Sequence, residues 1–157
     1  MKGFTLLEIL VTVLIFTFIV GGMYGVLNLT KTNYDTNLVS LNLQRQARQG
    51  MSRLIREIRQ AYFPSILDKN ETRTSITFNT TVAGNITYSL VSGQLKRTSS
   101  IDTTGKIIAN DITGLSFPAI VGNIQKITLR ASKTFRSLGK NRTLTFSLTE
   151  QVGVRNP

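Results

Sequence analysis

Residues 1–20 read MKGFTLLEILVTVLIFTFIV and open a long apolar run. No residue from Ile9 to Thr30 is charged. At about 1.5 Å per residue, a helix of this length crosses a hydrocarbon core about 30 Å thick. The run is also longer than the roughly 7–15 apolar residues of an ordinary secretory signal. The pattern therefore predicts a membrane-spanning helix, either as a plain anchor or as a signal peptide with an unusual apolar region.

A carboxylate, Glu8, lies just inside the edge of this run. Burying an unpaired carboxylate costs several kcal/mol, so acids inside a membrane usually have a partner and a function. The Glu8 side chain can extend to the membrane interface. Alternatively, a positive group from another chain meets it inside the bilayer.

The stretch KGFTLLEILVTVLIF resembles the N-terminus of the type IV pilin and pseudopilin superfamily. Gly3, Phe4 and Glu8 stand at the spacing of that family, ahead of an apolar helix. The resemblance implies that a prepilin peptidase cuts between Gly3 and Phe4 on the cytoplasmic side, and that Phe4 is then N-methylated. It also implies that Glu8 of an incoming subunit neutralises the N-terminus of a subunit already in the filament. Lys2 would hold the short leader inside, in line with the positive-inside bias.

The chain divides into a leader at 1–3, a transmembrane and filament-core helix at 4–30, an amphipathic helix at 31–63 and a β-rich head at 64–157. Three glycines, at positions 21, 22 and 25, stand near the place where many major pilins carry a kinking proline. They predict either a local bend or a helix–helix contact, because glycine weakens a helix and small residues line membrane helix interfaces. The Asn- and Thr-rich stretch at 28–37 is either a bend or a weak length of one long helix.

The amphipathic helix is indicated by apolar residues at three- and four-residue spacing, which fill one arc of roughly 120°. They are Leu43, Ala47, Met51, Leu54, Ile55, Ile58, Ala61 and Tyr62. Four arginines fill a neighbouring arc of roughly 80°: Arg45, Arg48, Arg56 and Arg59. This row is either a solvated face whose stems border the core, or a surface that binds acidic patches of neighbouring subunits or phosphates.

After Pro64 the pattern changes to short runs with a period of two, which predicts strands. The clearest apolar positions are Ile76, Phe78, Ile86, Tyr88, Leu90, Ile112, Leu115, Phe117, Ile127, Leu129 and Ala131, followed by Leu144, Phe146, Leu148, Val152 and Val154. Residues 92–94 predict a hairpin turn, and 137–141 a loop. Glu150 falls in phase with the apolar face, which implies a charged partner, a bulge at Gly153 or exposure near the strand end. The predicted fold is α+β, with a long N-terminal helix packed on an antiparallel sheet.

The C-terminus resembles the J-type minor pseudopilins of type II secretion and the W-type minor pilins. Val152, Val154, Arg155 and Asn156 fit their closing strand. The C-terminal disulfide of major pilins is absent, because the chain has no Cys. The resemblance implies a minor subunit that acts in filament assembly and initiation. One tip pseudopilin type lacks the Glu that stands here as Glu8, which argues against that type.

Composition excludes several kinds of chemistry. With no Cys and no His among 157 residues, the usual zinc ligands and Ser-His or Cys-His nucleophile pairs are missing. The acids are scattered, and no catalytic motif is present, so we expect neither an enzyme nor a cofactor or metal. A net charge of +11 favours anionic partners. DNA is a possible partner, but no dense basic cluster is interleaved with aromatics.

The resemblance also implies partners and a location. The partners are other pilins or pseudopilins, prepilin peptidase and an inner-membrane assembly platform. The location is the cytoplasmic membrane, crossed once, followed by a periplasmic or cell-surface filament. A pilus, a type II secretion system and a competence DNA-uptake system all remain open as the machine served.

Overall fold

The described part of the protein is one long helix followed by seven strands. The computed structural model describes residues 4–61, 74–81, 83–118 and 124–153. The elements are α1 (Leu6–Ile58), β1 (Ser75–Thr80), β2 (Gly84–Val91), β3 (Gln94–Ser99), β4 (Lys106–Ala109), β5 (Ile112–Ser116), β6 (Ile124–Ser137) and β7 (Lys140–Gly153). The predicted α+β class is confirmed.

Helix α1 runs for 53 residues without interruption. The stretch at 28–37 is therefore a length of one helix and not a bend. The helix ends at Ile58, with Arg59 as its C-cap, which is earlier than the predicted bound at residue 63. Ala61 instead pairs with Thr80 in an isolated β-bridge, so the chain has already turned towards the head. Tyr62 and Pro64 lie outside the described residues.

Threonines in the apolar half of α1 satisfy their hydroxyls within the helix. Thr12 donates to the carbonyl oxygens of Glu8 and Ile9, at 3.0 and 2.8 Å. Thr30 donates to the carbonyl oxygen of Val26 at 2.9 Å. Because a hydroxyl in hydrocarbon has no water to bind, this bond to the preceding turn lets threonine lie in an apolar segment at little cost.

The head contains two antiparallel sheets, where the sequence predicted one. Strands β1-β2-β3-β4 form one sheet and β5-β6-β7 form the other. Only Asn110 and Asp111 separate β4 from β5, and Asp111 has a left-handed backbone with φ of 59°. Lys133 fixes this corner by an ion pair of 3.0 Å with the Asp111 carboxylate. The corner redirects the chain into the second sheet.

One core joins the C-terminal half of the helix to both sheets. Helix residues Leu43, Ala47, Met51, Leu54 and Ile58 are buried, as their spacing predicted. Gly50 marks the closest approach: a Cβ built there would lie 3.1 Å from Leu95 Cδ2, 3.3 Å from Ala109 Cβ and 3.5 Å from Leu129 Cδ1. These contacts come from β3, β4 and β6, so glycine lets the helix touch both sheets.

The strand predictions are largely confirmed. Residues 76 and 78, 86 and 88, and 127, 129 and 131 alternate as buried positions. The turn at 92–93 has φ of 51° and 73°, as a two-residue hairpin requires. Strand β4 was not predicted. The β6–β7 register continues regularly to Gly153, with Glu150 opposite Ile127, and Glu150 is exposed. Glu150 is therefore tolerated in phase with the apolar residues because it is exposed, and no bulge is needed at Gly153.

Candidate functional site

The N-terminal segment presents a short extended stretch before the helix. Phe4 and Thr5 precede α1, and Thr5 has the extended φ and ψ of −80° and 148°. Thr5 is the N-cap, and its Oγ1 accepts a bond of 3.3 Å from the Glu8 backbone N–H. Phe4 and Thr5 therefore lie ahead of the first turn of the helix. Gly3 lies outside the described residues.

Glu8 lies in the first turn of α1, with its side chain exposed. Carboxylates in a first turn are stabilised by the partial positive charge of the helix N-terminus. Thr5-x-x-Glu8 also matches the sequence of a capping box, which is a second reason for a glutamate at this position. The first turn therefore tolerates Glu8, and its side chain stays open to a partner from outside the chain.

The N-terminal half of α1 packs against none of the other residues that the structure describes. Every residue from Phe4 to Leu27 is exposed. Within the described residues, α1 is the one helix long and apolar enough to cross a membrane, and the 18-residue window with that hydropathy is 0% buried. An exposed apolar surface of this size is typical of a helix that a bilayer or other apolar helices cover.

The four arginines of the predicted row, Arg45, Arg48, Arg56 and Arg59, are all exposed. They border two open depressions on the helix surface that meet at Ser52. One is lined by Leu41, Gln44, Arg45, Arg48, Gln49 and Ser52, and the other by Ser52, Ile55, Arg56, Arg59 and Gln60. The row extends about 21 Å along the helix. Its guanidinium groups are available to a partner alongside the helix.

A buried ion pair that was not predicted from the sequence joins the helix to the first sheet. Arg97 of β3 donates through Nε to both carboxylate oxygens of Glu57, at 2.8 and 3.1 Å. The two side chains are only 14% and 11% exposed. Arg53, one turn earlier, lies 3.5 Å from the same carboxylate. Glu57 lies at the edge of the apolar arc of the helix. A carboxylate at such a position is partly buried and needs a cation, and this is the feature of the sequence that could have indicated the pair.

Tyr88 of β2 lies beside this pair and completes the buried cluster. Its ring stacks on Phe78, with centroids 6.2 Å apart. Burial raises the pKa of the Tyr88 phenol, and the Glu57 carboxylate raises it further. Burial alone would lower the pKa of the Arg97 guanidinium, but its bonds to Glu57 raise it overall. The cluster keeps Tyr88 neutral and the ion pair charged, which suits a structural role.

Groups that could carry out chemistry are not brought together in the described parts of the chain. There, no three or more His, Cys, Asp or Glu side chains lie close enough to hold a metal ion. Asp102 and Asp111 bind a threonine and a lysine respectively. The candidate site is therefore the exposed surface of α1, which suits binding to other chains.

Comparison with known proteins also draws attention to the N-terminal part of α1. Residues 1–24 match the family described as the prokaryotic N-terminal methylation motif. No curated protein and no solved structure gives a significant match to this chain. The matched segment contains Gly3, Phe4 and Glu8, and in the structure it continues into the exposed apolar helix.

The motif and the fold together support a type IV pilin-like protein. A motif of this type suggests a structural protein and not an enzyme. It implies processing by prepilin peptidase and assembly with other pilins in a membrane.

Proposed function

We propose that this chain is a minor pilin-like subunit of a type IV pilus or a related filament, and that it acts in filament assembly and initiation. The observation that carries the proposal is the unpacked helix, in which every residue from Phe4 to Leu27 is exposed. Such a surface fits first a bilayer and then a bundle of like helices. The J-type and W-type likeness rests on Val152, which is buried in β7, and on residues 154–156, which lie outside the described residues.

We assign Glu8 the task of aligning the subunit. After cleavage between Gly3 and Phe4, the methylated Phe4 keeps a positive amine within an apolar bundle. Two opposite charges in such an environment are each costly alone and tolerable as a pair. Since residues 9–30 carry no other charge, Glu8 is the only carboxylate on this segment that an incoming amine can meet. The pair would therefore fix the axial register, as a lone polar group does in a coiled coil.

The arginine row is proposed as a second contact with neighbouring subunits. Because α1 continues from the bundle into the head, neighbouring heads lie alongside Arg45, Arg48, Arg56 and Arg59 once the helices associate. Arginine forms bidentate bonds with carboxylates, so acidic patches on those heads are suitable partners. Phosphate contacts are the other use of such a row.

A secretion or competence pseudopilin is the alternative function. The net charge of +11 is the observation that favours DNA uptake in particular. In either case the chain would cross the cytoplasmic membrane once before it enters a periplasmic or cell-surface filament. It would also be processed by the same peptidase and extracted at an inner-membrane assembly platform.

The experiment is to count surface pili by electron microscopy in a clean deletion strain. The strain is complemented with the wild-type gene, with Glu8→Val and with Glu150→Val, which removes an exposed carboxylate of the head as a matched control. We expect pili to be lost on deletion and restored by the wild type and by Glu150→Val, but not by Glu8→Val. Unchanged pili in the deletion strain would contradict the pilus assignment and point to secretion or DNA uptake.

A further inference from the structure

The β6–β7 hairpin reaches down the helix to Asp35, the first acidic residue after the apolar run. Ser137, at the end of β6, is buried and donates from Oγ to the Asp35 carboxylate at 3.3 Å. Thr32, one residue after Lys31, is only 6% exposed, so the chain already covers this side of the helix there. If Ile9 to Thr30 spans the hydrocarbon, Asp35 stands about 6 Å beyond Lys31, within the headgroup region.

The hairpin points towards the membrane end of the helix. Further along the helix, Leu129 of β6 lies beside Gly50 of α1, and this gives a second point of contact between the hairpin and the helix. From Leu129 to Ser137 is eight strand residues, or about 26 Å, and from Gly50 back to Asp35 is fifteen helix residues, or about 22 Å. These similar lengths mean that β6 and α1 run nearly alongside each other. The turn at Leu138 and Gly139 is therefore the part of the hairpin nearest the bilayer.

The turn itself is unusual for a soluble hairpin. Leu138 is 52% exposed and has a left-handed backbone with φ of 48°, a position that Asn, Asp or Gly normally occupies. Exposed cations flank it at Arg136, Lys140 and Arg142. An apolar residue projecting between basic side chains is the arrangement with which peripheral proteins enter an anionic membrane interface.

We propose that this hairpin tip docks on the anionic phosphate headgroups of the membrane that holds α1, before the subunit enters a filament. The tip consists of residues 136–142. Leu138 enters the interface while the flanking cations contact lipid phosphates, and Lys31 contacts the same surface from the helix. The contact would hold the head at a fixed orientation to the bilayer. The inference rests on the membrane anchoring that the proposed function requires.

Lipid-quenching fluorescence tests this contact directly. The full chain is placed in nanodiscs of phosphatidylcholine with or without phosphatidylglycerol. A fluorophore is attached at Asn141→Cys or, as control, at Gln151→Cys, because the chain has no other Cys. Both positions are exposed on the same face of β7 and lie about 33 Å apart. We expect spin-labelled headgroups to quench the label at 141 and not at 151, and anionic lipid to strengthen the quenching.

Matched charge reversals identify the cause. Lys140→Glu with Arg142→Glu should lower the ratio of docked to free tip roughly 30-fold or more, because each cation near an anionic surface changes it about fivefold. Lys126→Glu with Arg130→Glu changes the charge equally at exposed sites along β6, and should leave quenching unchanged. Leu138→Asn should reduce docking without unfolding the hairpin, because Asn tolerates the left-handed backbone.

Three results would overturn the inference. Equal quenching at 141 and 151 would show that the tip is no nearer to the lipid than the far end of the hairpin. Equal effects of the two charge reversals would show that the cations of the tip have no specific role. Shielding of the label at 141 by added DNA, without any response to anionic lipid, would identify nucleic acid as the ligand. Failure of the chain to float with vesicles would instead refute the anchoring itself, so the two failures are distinguishable.

Discussion

The buried pair of Glu57 and Arg97 should be one of the main links between the helix and the first sheet. Glu57→Gln keeps the volume of the side chain and removes its charge. The wild-type carboxylate accepts one bifurcated, charge-assisted bond from the Arg97 Nε–H, at 2.8 and 3.1 Å, which is worth about 1.5–3 kcal/mol. Breaking a buried pair by removing one partner costs about 3–5 kcal/mol. Since the Gln oxygen still accepts one bond from Arg97, we expect a loss of about 3 kcal/mol, the lower end of that range.

Urea unfolding of the full-length chain in detergent, followed by circular dichroism of the β-sheet, measures this loss. Glu150→Gln removes an exposed carboxylate and should change the free energy of unfolding by no more than about 0.5 kcal/mol. Glu57→Leu combined with Arg97→Met should cost less than Glu57→Gln alone, because the more buried cation, Arg97, is removed together with the carboxylate, while Arg53 is 31% exposed and can reach water. A loss below about 1 kcal/mol for Glu57→Gln, or a double variant whose cost equals the sum of its single variants, would refute the reasoning.

Two further predictions concern the core. Gly50→Leu should lower the free energy of unfolding by about 1–3 kcal/mol, because the leucine side chain would overlap Leu95 and Ala109. Gln49→Leu, at an exposed position, is the control. Equal urea midpoints for the two variants would contradict the prediction. The pKa of Tyr88 is raised in the folded protein. The neutral phenol therefore contributes its full stability below the pKa of about 10 that tyrosine has in the unfolded chain, and this contribution is lost as the pH rises above that value. The melting temperature of wild type should therefore fall more steeply above pH 10 than that of Tyr88→Phe, and parallel curves would show that Tyr88 ionises freely.

Elements with a single buried face were predictable from the sequence. The helix carries its apolar residues at three- and four-residue spacing because one side meets the sheets, and β6 alternates Ile127, Leu129 and Ala131 because one face meets the helix. The N-terminal methylation motif was recognisable from the sequence for a related reason. A carboxylate at the start of an apolar run such as Glu8 is costly unless it has a use.

Features that depend on distant neighbours were not predictable. Glu57 and Arg97 are 40 residues apart, and the sequence around either residue does not identify the other as its partner. The split into two sheets depends on the left-handed corner at Asp111, which the alternating pattern around it does not reveal. The contact at Gly50 likewise arises only when three strands meet the helix, so a lone glycine in a helical pattern does not show it.

The N-terminus of the mature protein tests the central claim most directly. The chain is purified from membranes of its own host, and its N-terminal peptide is identified by mass spectrometry. We expect a peptide that begins at Phe4 and carries one added methyl group on its α-amine, with Gly3 and the residues before it removed. A mature peptide that keeps Met1, or one cleaved after the apolar run, would contradict the assignment as a pilin-like subunit.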